Sequence, residues 1–184
     1  MNYHIDAGWL APVRRVPSPN CDERPAGVPL DLLVIHNISL PPGEYGGPWI
    51  DALFSNTLDC TAHACFADLQ GVQVSAHLLI DRAGDVTQYV PFHMRAWHAG
   101  ESCFRERTRC NDFSIGIELE GCDDSPYEDM QYRHLAAITK AIMQHYPQIE
   151  RDRIVGHSDI APQRKTDPGA AFDWAYFHDL LARA

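Results

Sequence analysis

Apolar residues along this chain fall in short bounded runs. Leu30–His36, LDLLVIH, is apolar and partly β-branched, and it predicts a buried strand ending at His36. The PPGEYGGP stretch at Pro41–Pro48 predicts a long loop, with Pro48 opening a helix through about Leu58. Val74–Ile80 and Val86–Val90 are strand-like, and Asp81-Arg82-Ala83-Gly84 between them has turn chemistry, which predicts a hairpin. Asp112–Glu120 contains SIGIELE, a further strand. Ser125, Pro126 and Glu128 then have the order of a capping box, opening a helix in which Leu135, Ile138, Ile142 and Tyr146 repeat at helical spacing until Pro147. Arg153–Gly156 predicts a short strand just before His157, and a last helix is expected over about Phe172 to Leu181. Five prolines between Pro12 and Pro29 predict an irregular, surface-wrapping segment at about 11–29. Strands and helices mix along one length of chain. The expectation is α/β: a single domain over 1–184, with a mixed central β-sheet flanked by helices.

Charge narrows the function classes. Fifteen Lys and Arg against twenty-five Asp and Glu leave a formal net charge of −10. A nucleic-acid binder needs a basic face, so no nucleic-acid partner is expected. No run approaches the roughly 18 apolar residues of a membrane span, and the acidic balance disfavours anionic lipid, so no membrane partner is expected either. The opening MNYHIDAGWL has no basic n-region and no apolar h-region, which predicts a cytoplasmic protein. Six cysteines in a chain without an export signal are expected to be mostly free thiols. Cys60, His63 and Cys65 are the nearest thing among them to a metal cluster, although such a grouping is commonly incidental.

Ten histidines supply acid–base and metal chemistry. His36 and His157 each sit where a strand runs into a loop, and Asp167 follows His157 with Lys165 between them. Two His and one Asp at strand mouths suit a catalytic zinc site with a fourth position left open. A strand-end His equally caps a loop, and Asp before Pro starts turns. Periodicity does not decide which of His36, His63, His77, His93, His98 and His157 meet. Glu118 and Glu120 share one strand face, where a buried carboxylate would serve as a general base and an exposed one would only meet solvent. Arg105, Arg107 and Arg109 form a local basic cluster that either holds an anion or is a solvated loop. Trp97 offers a flat face for a sugar or peptide, or a core contact.

The ordered set LLVIHNISLPPGEYGGPWIDALF, VSAHLLIDRAGDVTQYVPF, RAWHAG, RCNDFSIGIELEG and GHSDIAPQRKTDPGAAFDW resembles the zinc amidase family, which includes phage-type amidase lysozymes and peptidoglycan recognition proteins. The likeness is to its cytoplasmic branch acting on anhydro-muropeptides. It runs from about Gly8 to Trp174. It implies an amidase/peptidoglycan-recognition-like fold and one catalytic Zn2+ held by His36, His157 and Asp167. It further implies Glu118 as general base, Lys165 as the cation that stabilises the oxyanion, and Asn37, Trp97 and Arg109 as substrate contacts. The implied reaction is hydrolysis of the amide between (anhydro-)N-acetylmuramic acid and L-alanine in peptidoglycan recycling. The implied partner is the anhydro-muropeptide substrate, with no obligate protein partner. A non-catalytic peptidoglycan recognition module is the alternative; such modules lack one or more of the ligands present here.

Overall fold

The computed structural model describes residues 2–183. Four short strands occupy the N-terminal segment: β1 (His4–Asp6), β2 (Trp9–Ala11), β3 (Arg14–Arg15) and β4 (Cys21–Glu23). The main strands are β5 (Leu32–Ile38), β6 (Leu78–Ile80), β7 (Val86–Gln88), β11 (Ser114–Glu120) and β12 (Ile154–Gly156). Two-residue strands β9 (Cys103–Phe104) and β10 (Arg107–Thr108) form a hairpin, and β8 (Met94–Ala96) pairs with β4. The helices are α1 (Trp49–Phe54), α2 (Asp129–His145), α3 (His157–Ile160) and α4 (Trp174–Ala182).

The central sheet has the order β12-β5-β11-β6-β7-β3. Strands β12, β5, β11 and β6 are parallel neighbours, and only β6–β7 is antiparallel. The fold is therefore α/β with a mixed central sheet and flanking helices, as expected. Alternation along β5 and β11 divides the core. Leu33, Ile35, Ile115, Ile117 and Leu119 pack with α2 and α4 residues such as Leu135, Ile138 and Phe177. Leu32 and Val34 face the other way, against Ala99, Phe113 and Ile160. Burying each such side chain fully is worth about 1.5–3 kcal/mol. Residues of the second parity, His36 on β5 and Glu118 on β11, thus emerge on the face away from α2.

Several expected boundaries move. The segment expected to be irregular contains strands: Arg14 and Arg15 pair with Thr87 and Gln88 at the sheet edge. Buried Gln88 ties this segment down, accepting from the Leu10 amide at 2.6 Å and donating to Gly8 O at 3.1 Å. Helix α1 stops at Phe54, ahead of the expected Leu58, because Asn56 takes a positive φ of 60°. The first hairpin strand shortens to β6, since the amides of Ser75 and His77 bond to Trp97 O and Gly116 O outside a regular ladder. Helix α2 begins at Asp129 with Glu128 as N-cap, three residues beyond the expected Ser125 cap. Tyr127 is buried there and donates to Pro168 O at 2.7 Å, while Gln131 accepts from the Glu128 amide at 3.0 Å. That tertiary anchor outweighs the local Ser-Pro signal. Helix α4 starts after Phe172, with the Asp173 side chain accepting from the Tyr176 amide.

Candidate active site

The parallel register builds the site. Glu118 on β11 pairs directly with His36 on β5, and Gly156 on β12 pairs with Ile35. His157, the next residue, therefore stands beside His36 at the carboxyl ends of adjacent strands, the usual ligand edge of an open α/β sheet. The chain then turns back through Lys165 to Asp167. Asn37 and Tyr127 hold that turn: Asn37 Nδ2 donates to Pro168 O at 3.2 Å and to Asp123 Oδ1 at 2.8 Å. Gly169 has a φ of 81° and passes so near Asp123 that an added Cβ would lie 2.1 Å from its Cα. Only glycine allows this approach.

His36 Nδ1, His157 Nδ1 and Asp167 Oδ2 converge, each 3.0 Å from the other two. Among the described residues this is the only group of three or more His, Cys, Asp or Glu placed to hold a metal ion. Cys60, His63 and Cys65 do not form one; the exposed His63 Nδ1 and Cys65 Sγ meet as a pair at 2.9 Å, and Cys60 turns to Leu58 O.

His157 Nε2 lies 3.1 Å from Ala99 O, which only accepts. Nε2 thus carries a proton, and in the one-proton form of the ring Nδ1 presents a lone pair. A single proton on His36 Nδ1 serves at most two of the three contacts, leaving His157 and Asp167 as facing lone pairs. A cation satisfies all three at once. Donors around a tetrahedral ion with bonds of about 2.0–2.1 Å are about 3.3 Å apart, close to the separations here. The donor chemistry therefore fits zinc. Burial pushes His36 down to about 4, against the upward pull of its bond to Asp167, so the ring is neutral near pH 7. Burial alone would raise Asp167, but the two imidazoles overcome it and hold the carboxyl well below the usual range.

Glu118 faces this cluster from β11. Burial, reinforced by the charge of Asp167, pushes its carboxyl well above the usual range, and Lys165 opposes them. Its Oε2 is buried and has no hydrogen-bond partner among the described residues. Glu120 shares the face but has another role: Oε1 accepts from the Gly46 amide at 2.5 Å and Oε2 from the Arg82 amide at 3.2 Å. It pins the loop after β5 to the β6–β7 turn. Both carboxylates are buried on a central strand, not on a solvated edge.

One cleft of about 210 Å³ gathers His36, Asn37, Trp97, Glu118, His157, Lys165 and Asp167. Arg109 lines a neighbouring cavity of about 550 Å³ beside Arg164 and Ser102. The three arginines of the basic cluster disperse: Arg105 pairs with Asp152, Arg107 with Asp31 and Arg109 with Asp112. Arg95 supports the site without any signal in the sequence pattern. Its guanidinium holds Asp22 at 2.6 Å and Asp112 at 2.6 Å, and Asp22 accepts from Trp97 Nε1 at 3.2 Å. No periodicity signals such a link; only the antiparallel pairing of β4 with β8 brings Asp22 opposite Arg95. All six cysteines are free, as expected.

Likeness to known proteins gives the chain a family. A family model described as N-acetylmuramoyl-L-alanine amidase matches residues 26–170. The Escherichia coli (strain K12) 1,6-anhydro-N-acetylmuramyl-L-alanine amidase AmpD is 59% identical over 179 residues, 97% of each chain. A crystal structure of an AmpD selenomethionine derivative superposes with a TM-score of 0.94 at 59% identity, covering 96% of this chain and 98% of that one. The E. coli amidase AmiD, solved with the substrate anhydro-N-acetylmuramic acid-L-Ala-D-γ-Glu-L-Lys, gives a TM-score of 0.61 at 31% identity, covering 97% of this chain and 65% of that one. Matched by the family model over most of its length and aligned nearly end to end with a 59% identical relative, the chain belongs to the N-acetylmuramoyl-L-alanine amidase family.

Proposed function

We propose that this protein hydrolyses the amide between anhydro-N-acetylmuramic acid and L-alanine in muropeptides, a peptidoglycan-recycling step in the cytoplasm. The observation that carries the reading is the convergence of two imidazole nitrogens and one carboxylate oxygen at 3.0 Å, beside the buried Glu118, whose Oε2 has no hydrogen-bond partner among the described residues. His36, His157 and Asp167 would hold one zinc ion, which when bound supplies Lewis acidity and makes water a strong nucleophile near neutral pH. The names of the similar proteins support the substrate. No described helix is long and apolar enough to cross a membrane.

This chain's own residues then account for the rest of the chemistry. Glu118 takes the proton from the attacking water and returns it to the departing L-alanine amine. Its burial suits the task, because a carboxyl raised above its ordinary range is a better proton acceptor. Lys165 Nζ offers a positive charge to the oxygen that becomes negative as the carbonyl turns tetrahedral; losing one donor of this kind costs about 2.7–4 kcal/mol in a comparable acyl-transfer site. Trp97, its indole N–H fixed on Asp22, gives a flat apolar face to the sugar or stem. Arg109 offers a guanidinium to a stem carboxylate, and Asn37 holds the Asp167 turn at the cleft floor. Asp167→Ala tests the reading: it should lose both zinc retention and hydrolysis. Full hydrolysis by a metal-free Asp167→Ala protein would overturn it.

A further inference from the structure

The Trp97–Gly100 segment, W-H-A-G, supplies no donor to the cluster, yet it touches both cluster histidines from behind. His98 Nδ1 lies 2.9 Å from His36 Nε2, and Ala99 O lies 3.1 Å from His157 Nε2. The far nitrogen of His98, Nε2, is 3.1 Å from Ser114 Oγ. Asn111 Oδ1 fixes the segment's backbone, accepting from the His98 amide at 3.2 Å and the Ala99 amide at 2.8 Å. The ring lies flat on β11 over Gly116, where an added Cβ would fall 2.5 Å from His98 Cγ. Three residues of one strand parity thus divide the labour: Ser114 meets the far nitrogen of His98, Gly116 makes room for its ring, and Glu118 faces the cleft.

We propose that His98 is a positioning residue for the metal centre, accepting the Nε2 proton of His36 so that the Nδ1 lone pair of His36 is directed at Asp167 and His157. The inference rests on the reading of His36, His157 and Asp167 as metal ligands. Neutral His36 has two tautomers. With the proton on Nδ1, a hydrogen occupies the space between the donors and excludes a cation. With the proton on Nε2, it needs an acceptor, and His98 Nδ1 is the one in reach. His98 then carries its own proton on Nε2, and the Ser114 hydroxyl, which can accept as well as donate, receives it at 3.1 Å. Outer partners of ligating histidines are commonly carboxylates or carbonyls. Here Ala99 follows that rule for His157, while a second imidazole takes the place for His36.

The test uses the full chain and zinc alone, with the zinc dissociation constant read by competition against a chromophoric chelator. His98→Leu keeps bulk and removes the acceptor; it should weaken zinc binding about 10–100-fold. His98→Asn places an amide oxygen near the Nδ1 position and should restore most of that loss. Gly116→Ala, which leaves His98 chemically intact but unseats its ring, should also weaken zinc. Equal binding by His98→Leu and wild type, or equal loss in the Leu and Asn variants, would overturn the proposal. Should His98→Leu fail to fold, long-range 1H–15N spectra of zinc-loaded wild type decide it: His98 must carry its proton on Nε2, leaving Nδ1 to accept from His36, and a proton on His98 Nδ1 would overturn the assignment. Wild type that binds no zinc would instead sink the metal reading itself.

Discussion

Replacing Glu118 with Gln should make this protein more stable and nearly inactive. The carboxylate is buried on a central strand, and its Oε2 has no partner among the described residues. An unsatisfied buried acceptor costs about 1–3 kcal/mol. The neutral amide removes the charge but brings an N–H₂ of its own, which points to the lower end, about 1 kcal/mol. For a chain of this size that raises Tm by about 2–4 °C. The pH dependence has a definite sign. Burial raises the folded-state pKa of Glu118 above its unfolded value, so the folded state binds this proton more readily than the unfolded state does. Ionised Glu118 therefore costs stability at neutral pH, and the cost disappears as pH falls below the unfolded value of about 4.3. The Tm gain of Glu118→Gln over wild type, measured by calorimetry on chelator-treated protein, should be largest above the raised pKa and vanish in acid. Turnover should fall about 10²–10⁴-fold, the usual contribution of a general base, while zinc stays bound. A variant with wild-type turnover would refute the base assignment. One destabilised by more than about 1 kcal/mol at pH 7 would refute the burial argument.

Phe177→Ala removes a fully buried ring between α4 and α2 and should cost about 3–5 kcal/mol in chemical denaturation, with the m-value unchanged. Gly169→Ala forces a side chain into a φ of 81° and onto Asp123; it should destabilise by at least about 1–2 kcal/mol and loosen zinc retention by shifting the Asp167 turn, both readable by thermal melts and metal analysis. Arg95→Ala frees Asp22 and Asp112, and with them the Trp97 indole; steady-state kinetics should show KM raised about tenfold, about 1.4 kcal/mol, with kcat near wild type. A fall confined to kcat would place Arg95 in the chemistry instead.

The elements that build the site were largely legible in the chain. LDLLVIH and SIGIELE are apolar on the parity that meets α2, which is why the two strands could be read directly, while strand parity alone leaves open whether Glu118 and Glu120 are buried or exposed. What linear spacing does not contain is register. His36, His157 and Asp167 meet because β12, β5 and β11 pair in parallel with Gly156 beside Ile35 and Glu118 beside His36. The separate fates of Glu118 and Glu120 are equally invisible in sequence, since the loop amides that capture Glu120 come from Gly46 and Arg82. The basic run at Arg105–Arg109 reads as one cluster, but the β9–β10 hairpin sends its three guanidinium groups to three different carboxylates. At the start of α2, Tyr127 docking on Pro168 O displaced a sound local capping signal.

The proposed reaction is a zinc-dependent cut between a muramyl lactyl group and L-alanine. Mass spectrometry of the products from purified protein and anhydro-muramyl tripeptide, with and without a zinc chelator, tests it most directly. Free tripeptide and anhydro-muramic acid should form without chelator, cease with it, and return on adding zinc. Cleavage undiminished by chelation would contradict the metal's role, and no cleavage even with added zinc would contradict the amidase assignment for this substrate.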